Sequence, residues 1–221
     1  MANHVYFNIT VKGLDEGCKA LERAVPHESV ERTMYDDTVR TFKEIIEVDK
    51  LPMYENSGQE YDEDGHCTNW YDWGCTNVGA KWVHFEDWDF EHGMTISGHS
   101  AWSHPAPFCE TLCEYLSNIV HKDISITMTY EDEFRNFFGI DEFYSSWNEV
   151  EGVVEIDHDE TYFDHDDLNS IIREKFGDQI DENDFDWWDN VKTVDGEEWC
   201  AGEYADEIVY DFFETGTLKA Q

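Results

Sequence analysis

The sequence predicts an α+β fold in which helices cover one face of an antiparallel sheet. Two observations carry this prediction: apolar residues alternate in several short segments, and they recur at helical spacing in the segments between them. The predicted order is strand, helix, strand, strand, helix, strand, which is a split βαβ arrangement. A hydrophobic content of 40% in 221 residues supplies enough apolar surface for a core.

The first predicted strand, HVYFNITVKG, places Val5, Phe7, Ile9 and Val11 on one face and ends at a glycine. A helix is predicted next in LDEGCKALERAVP, where the apolar spacing stops at Pro26, and a second helical segment in VRTFKEIIEVDKLP. The segments AKWVHFEDWDF and GMTISGHSAW alternate, which predicts a strand pair joined by a short acidic turn.

The second half of the chain continues the same pattern. APFCETLCEYLSNIV has apolar residues on one helical face and begins at Pro105 and Pro107, and DISITMTYED then alternates as a strand. FRNFFGIDEFYSSW and EVEGVVEIDHD are predicted as further strands that extend the sheet. Short amphipathic helices are predicted in HDDLNSIIREKF, NDFDWWDNV and AGEYADEIVYDFFETG.

Acidic residues are concentrated toward the C-terminal end. From residue 131 onward, 29 Asp and Glu stand against 5 Lys and Arg, a net charge of −24 out of −38 for the whole chain. Because Phe, Trp, Ile and Tyr recur there at regular intervals, the region is predicted to fold rather than to form a disordered acidic tail. We therefore expect a sheet domain over residues 1–145 and an acidic α/β extension, packed on it, over residues 146–221.

Three motifs in the first part of the chain occur in succession: W-G-x(4)-GAKW, SAWSHPAPFCETLCEYL and ITMTYEDEFRNFFG. This succession resembles the YubB-type ferredoxin-like family of phage and plasmid proteins. The positions that match the family pattern are Trp73, Gly74, Gly79, Lys81, Trp82, Ala101, Trp102, Pro105, Tyr130, Glu131, Glu133, Phe138 and Gly139. The chain departs from that pattern by an insertion between Gly74 and Gly79 and by SHPAP in place of a double proline. The resemblance implies a ferredoxin-like fold and a mobile-element origin, and it transfers no catalytic residue.

The net charge limits the classes of partner that the protein is expected to bind. A charge of magnitude about 2–8 keeps a small domain soluble, so solubility alone does not account for −38. Such a field repels nucleic acids and anionic membranes and attracts basic surfaces. The composition therefore argues against direct binding of nucleic acid or of a membrane, and it favours a basic protein partner.

The N-terminal segment MANHVYFNITVKG alternates like a strand and does not have the pattern of a secretory signal. A soluble cytoplasmic protein is therefore the expectation. Without a secretory signal, the six cysteines are expected to be reduced and mostly buried.

Several sequence patterns contain residue types that bind metals or catalyse reactions, but none has the spacing of a specific site. Cys67, Cys75, Cys109 and Cys113 lack the paired spacing typical of zinc sites, and the last two fit the core face of a helix equally well. The segment DHDETYFDHDD, residues 157–167, lacks the glycine of an EF-hand loop, so weak and diffuse cation binding is expected. Nucleophile-elbow and phosphate-loop motifs are missing from the sequence. We predict no catalytic residue, no specific metal site and no cofactor.

The stretch from residue 69 to residue 90 contains four tryptophans around a turn. On an alternating strand, Trp82 and His84 share one face, and Val83 and Phe85 share the other. Aromatic residues on strands more often pack in a core than surround a ligand. We therefore interpret the tryptophans as architectural.

The charge and the resemblance together predict a phage or mobile-element accessory protein that inhibits a host anti-phage defence system of the restriction, BREX or CRISPR type. It would bind a basic, DNA-binding host protein in the host cytoplasm, with its carboxylates acting as a DNA mimic. The carboxylates assigned to the contact surface are Asp157, Asp159, Glu160, Asp164, Asp166, Asp167, Asp181, Glu182, Asp184, Asp186 and Asp189. Two alternatives stay open: a non-mimic module that docks through its sheet, and a metal-dependent enzyme. A homodimer formed through the sheet fits either interaction hypothesis.

Overall fold

The computed structural model describes residues 3–14, 19, 47–89, 94–177, 191–194 and 197–219. These ranges contain eight strands and four α-helices, so the predicted α+β class is confirmed. The first predicted helix lies largely outside the described residues, as does most of NDFDWWDNV. The complete βαββαβ order therefore stays a prediction. The end of the second helical segment contains the 3₁₀-helix Val48–Lys50, and another 3₁₀-helix, Pro52–Tyr54, begins at its last residue.

The larger sheet has six strands: β1 (His4–Lys12), β2 (Lys81–Asp89), β3 (Thr95–Ala101), β4 (Ser125–Asp132), β5 (Phe137–Asn148) and β6 (Gly152–Asp164). They lie in the order β2-β3-β1-β4-β5-β6. β1 is antiparallel to both β3 and β4, and β2 is antiparallel to β3. Because β5 and β6 follow β4 at the end of this order, the predicted extension of the sheet is confirmed.

The helices are α1 (Trp70–Asn77), α2 (Ala106–Val120), α3 (His165–Phe176) and α4 (Ala201–Thr215). The last three were predicted, whereas α1 replaces a predicted turn. A two-stranded hairpin of β7 (Val191–Val194) and β8 (Glu197–Cys200) was also not predicted. None of the described helices combines the length and the apolar character needed to cross a membrane.

The described chain divides into two compact units. Unit 1 comprises Met1–Phe134 and Asp141–Glu160, and unit 2 comprises Arg135–Ile140 and Thr161–Gln221. The division thus falls within β5 and β6 rather than at the predicted boundary between residues 145 and 146. The division falls there because Phe138, at the start of β5, packs in the hydrophobic core of unit 2 together with α3 and α4.

The core of unit 1 follows the predicted alternation. Val5, Phe7, Ile9 and Val11 of β1 are all buried, and α2 buries one face against the sheet through Phe108 and its neighbours. Burial of these side chains removes apolar surface from water, which is the main favourable contribution to folding. The periodic pattern therefore predicted the buried faces of β1 and α2 correctly.

The prediction that the cysteines are mostly buried is only partly met. Of the five described cysteines, only Cys109 and Cys113 are buried, whereas Cys75 on α1 is exposed. Burial raises the pKa of Cys113 to about 11, so this thiol stays protonated and unreactive near neutral pH. Both buried thiols act as small apolar core residues of α2.

Candidate functional site

The strand β6 separates two sets of polar side chains. Asp157 and Asp159 are exposed on a strand at the end of the sheet order. His158 and Glu160 alternate with them and therefore point to the opposite side of the strand. The predicted acidic surface thus divides: Asp157 and Asp159 stay outward, whereas Glu160 accepts a 3.2 Å hydrogen bond from the buried Tyr130 hydroxyl.

The next predicted carboxylates begin helix α3. The Asp164 side chain accepts hydrogen bonds from the backbone N–H groups of Asp166 and Asp167, at 2.9 and 3.1 Å. The Asp167 carboxylate in return accepts one from the Asp164 backbone N–H at 3.1 Å. This reciprocal capping box satisfies donors that the first helical turn leaves open, so the Asp164 and Asp167 side chains have a structural role. The remaining predicted acids, residues 181–189, lie outside the described residues.

Asp164→Ala is expected to lower the free energy of unfolding by about 1 kcal/mol, because the helix loses its side-chain cap. Asp157→Ala removes the same charge from the exposed strand without removing a cap, and it is expected to be neutral or slightly stabilising. Urea denaturation of both variants measures the difference. Equal stabilities would show that the cap contributes nothing.

A buried polar cluster lies in unit 1 where the segment before α2 meets β4, β5 and β6. Its centre is Asp141 on β5, which is fully buried. The His104 Nε2 atom is 3.1 Å from Asp141 Oδ2, and the His158 Nε2 atom is 3.6 Å from Asp141 Oδ1. Among the residues that the structure describes, no group donates a well-directed hydrogen bond to either Asp141 oxygen. The carboxylate is thus surrounded by imidazole nitrogens without a conventional donor.

Aromatic stacking fixes the imidazole rings of this cluster. The His104 ring lies parallel to the Tyr130 ring at a centroid distance of 3.7 Å, and His158 stacks on Phe143 at 4.4 Å. The Asp141 charge also contributes, after burial, to raising the pKa of the neighbouring Cys109 thiol well above its ordinary range. The cluster is therefore an ordered polar site inside unit 1.

A second feature is an exposed group of aromatic rings around one amine. The Lys81 Nζ atom lies 3.7 Å from the Trp82 ring centroid and 4.8 Å from that of Trp102, with Tyr71 and Trp70 at 5.4 and 6.0 Å. These distances favour cation–π contacts, and all four rings are about half exposed. We call these five residues the aromatic cluster.

The aromatic cluster corrects the architectural interpretation of the tryptophans. Trp73 is buried at 6% exposure, but Trp70 and Trp82 stack on each other at the surface with 45% and 51% exposed. Trp82 and Trp102 also have positive φ angles of 53° and 69°, which are uncommon and costly for bulky residues. Strained, exposed aromatics of this kind are typical of an interaction surface rather than of a core.

The cysteines that the structure describes are not gathered into a set of metal ligands. Within the described residues, two groups of three potential metal ligands occur: Asp62, Asp64 and His66, and His104, Asp141 and Glu160. Neither group contains a cysteine. The first is an exposed loop in which the Asp62 carboxylate already accepts hydrogen bonds from the backbone N–H groups of Asp64 and His66.

No protein family, no curated protein and no solved structure matches this chain. Function is therefore inferred from the residues themselves.

Sequence reasoning identified part of the buried cluster. The segment of residues 157–167 was selected for its His and Asp content, and it supplies His158 and Glu160. His104, Tyr130 and Asp141 were not identified, because they are brought together only by the order of strands in the sheet. One signal was available: Asp141 shares a strand face with Phe143, so an inward-pointing acid could have been predicted there.

Proposed function

We propose that this chain is a phage or mobile-element accessory protein that inhibits a host anti-phage defence system by binding a basic, DNA-binding component as a DNA mimic. The observation that carries the proposal is the exposed pair Asp157 and Asp159, fixed on an ordered strand in a chain of net charge −38. The resemblance to YubB-type proteins supplies the mobile-element setting, and the host cytoplasm is the compartment where the target would be met.

The physical basis is competition for the positive surface that normally binds DNA. Carboxylates at alternate positions of a strand lie about 6.8 Å apart and cannot drift as they would on a disordered tail. DNA binding gains much of its free energy from release of counterions, and a rigid acidic surface gains from the same release on binding a basic groove. The proposed complex is therefore weakened by salt and displaced by DNA.

The strand order is consistent with the proposal, because it places the outward acids at one end of the sheet. β1 and β3 lie at the centre, with β4 and β2 outside them, an order that favours a ferredoxin-like unit to which β5 and β6 are added. In this arrangement the outward acids of β6 lie on the added part of the sheet. A homodimer would double the acidic surface.

The test is binding to a purified, DNA-binding component of a restriction, BREX or CRISPR system that the chain captures from host lysate. Binding is measured at about 0.05 M and about 0.2 M NaCl, with and without duplex DNA as competitor. The double variant Asp157→Lys with Asp159→Lys is expected to bind at least about tenfold more weakly than the unchanged chain, because its two lysines repel the basic surface of the partner.

The matched control reverses two acids elsewhere. Glu110→Lys with Glu114→Lys changes the net charge equally at exposed positions of α2. If both double variants lose binding equally, the total charge matters and the assignment of β6 fails. Binding that resists salt and DNA would reject mimicry itself.

The aromatic cluster favours a second candidate, a non-mimic module that docks on a partner through exposed rings beside the sheet. Aromatic side chains with large contact areas are common anchors of protein interfaces. In the same assay, Trp82→Ala or Trp102→Ala would then abolish binding, whereas the two charge-reversal variants and added salt would change it little.

A further inference from the structure

The buried carboxylate of Asp141 needs a positive partner. Transfer of a charged group from water into a protein interior is unfavourable unless another charge or several hydrogen bonds compensate it. Within the described part of the chain, Asp141 accepts no hydrogen bond, and both of its oxygens instead face imidazole nitrogens. Such an arrangement fits a cation shared between the carboxylate and the imidazole.

The distances agree with this interpretation. One nitrogen of His104 and one carboxylate oxygen each of Asp141 and Glu160 lie within 4.8 Å of one another. Ligand atoms bound at about 2.1 Å to one ion are roughly 3.0–3.4 Å apart when they are neighbours in its coordination sphere. The 3.1 Å separation of His104 Nε2 from Asp141 Oδ2 falls in that range.

The surrounding contacts orient the three ligands. Tyr130 stacks against the His104 ring and donates a hydrogen bond from its hydroxyl to Glu160, so one side chain positions two of them. His158, stacked on Phe143, faces the second oxygen of Asp141. Partners of this kind fix the orientation of metal ligands, and their loss typically weakens metal binding.

We propose that His104, Asp141 and Glu160 bind one divalent transition-metal ion, of which Zn²⁺ and Mn²⁺ are the representative cases. Two carboxylates balance the charge of a divalent ion, and the imidazole nitrogen favours transition metals over Ca²⁺ or Mg²⁺. Asp141 is the buried anchor. Glu160 is exposed, so the ion can reach the site from solvent past this side chain.

The site differs from the diffuse cation binding that any strongly acidic surface shows. It uses one set of ligands from three different elements, and it predicts one ion per chain. It also makes no use of the outward acids of β6, so its outcome is independent of the proposed DNA mimicry.

The test is titration of the full chain, freed of metal by chelation and dialysis, with Zn²⁺ and with Mn²⁺ in separate calorimetric experiments. Salt at about 0.3 M suppresses diffuse binding to exposed carboxylates. One saturable site per chain is expected. Asp141→Asn and His104→Ala are expected to weaken it at least about a hundredfold, and His158→Ala about tenfold.

A second probe reports the ligands directly. Co²⁺ bound to the unchanged chain should give a visible absorption spectrum that saturates at one equivalent and disappears in Asp141→Asn. Circular dichroism and thermal unfolding in the presence of a chelator establish that each variant is folded. The matched control is Asp64→Asn in the exposed group of Asp62, Asp64 and His66, which should leave the affinity unchanged.

Two results would overturn the proposal. One is the absence of a one-equivalent site in the unchanged chain, which would leave an ion pair of Asp141 with protonated imidazoles as the alternative. The other is unchanged affinity in a folded Asp141→Asn variant. Loss of affinity in Asp64→Asn alone would move the site to the exposed loop and would also reject the proposal.

Discussion

Phe212→Ala is expected to lower the free energy of unfolding of unit 2 by about 3–5 kcal/mol. Phe212 is fully buried on α4, and its ring contacts those of Phe138, Phe163 and Phe213 at centroid distances of 5.6, 5.2 and 5.6 Å. Removing the ring leaves a cavity between elements that are distant in sequence. The fixed backbone of α4 cannot close it completely.

The measurement is amide hydrogen exchange across the described residues, because it reports the stability of each unit separately. Protection in α3 and α4 should fall strongly in Phe212→Ala, and urea denaturation should show the same loss. Tyr210→Ala is the control on the same helix. Tyr210 is 65% exposed, so its truncation is expected to change stability by less than about 0.5 kcal/mol. Similar losses in both variants would contradict the assignment of Phe212 to the centre of this core.

Gly98→Ala is expected to destabilise unit 1 by at least about 3 kcal/mol, although it adds only one methyl group. Gly98 on β3 pairs with Phe7 of β1 on one side and with Phe85 of β2 on the other. A Cβ atom there would lie 2.0 Å from the His84 carbonyl oxygen and 2.9 Å from the Phe7 ring. The first neighbour is backbone, so relief requires the strand itself to move.

The control for this substitution is Gly74→Ala. Gly74 lies within α1, and a Cβ atom there meets nothing closer than the Ala80 carbonyl oxygen at 3.7 Å. Since alanine is favoured over glycine in helices, this variant is expected to gain up to about 1 kcal/mol. Thermal and urea unfolding compare the two variants. A Gly98→Ala protein as stable as the unchanged chain would show that β2 and β3 do not approach as closely as described.

Periodic elements with one buried face were predictable from sequence, and α1 shows where that approach fails. β1 and α2 were identified with the right buried residues, because the spacing of apolar residues in the sequence indicates which face of a strand or helix is buried. Residues Trp70–Asn77 include Gly, Thr and Asn, which are poor helix formers, so local propensity predicted a turn. The helix is instead stabilised by tertiary contacts: Trp73 packs edge-on against Tyr54 and donates its indole N–H to the Ser57 carbonyl.

The candidate site was less accessible to sequence reasoning than the fold. His104, Tyr130 and Asp141 are separated by many residues, and only the pairing of β4 with β5 brings them together. Charge counting identified Asp157 and Asp159 as exposed acids. It could not distinguish them from Glu160, which has the same charge but whose side chain points to the other side of β6. The capping role of Asp164 was readable in principle, since an acid precedes a predicted helix with a second acid three residues later.

The alternation along β6 also bears on how the chain can change over evolutionary time. Asp157 and Asp159 face outward, so substitutions there change the surface of the protein without entering its interior. His158 and Glu160, interleaved with them, face groups of unit 1 and are held to fixed geometry by Phe143 and Tyr130. Substitutions are therefore better tolerated on one face of this strand than on the other. Insertion of a single residue into β6 would exchange the two faces and is the change that this strand would tolerate least.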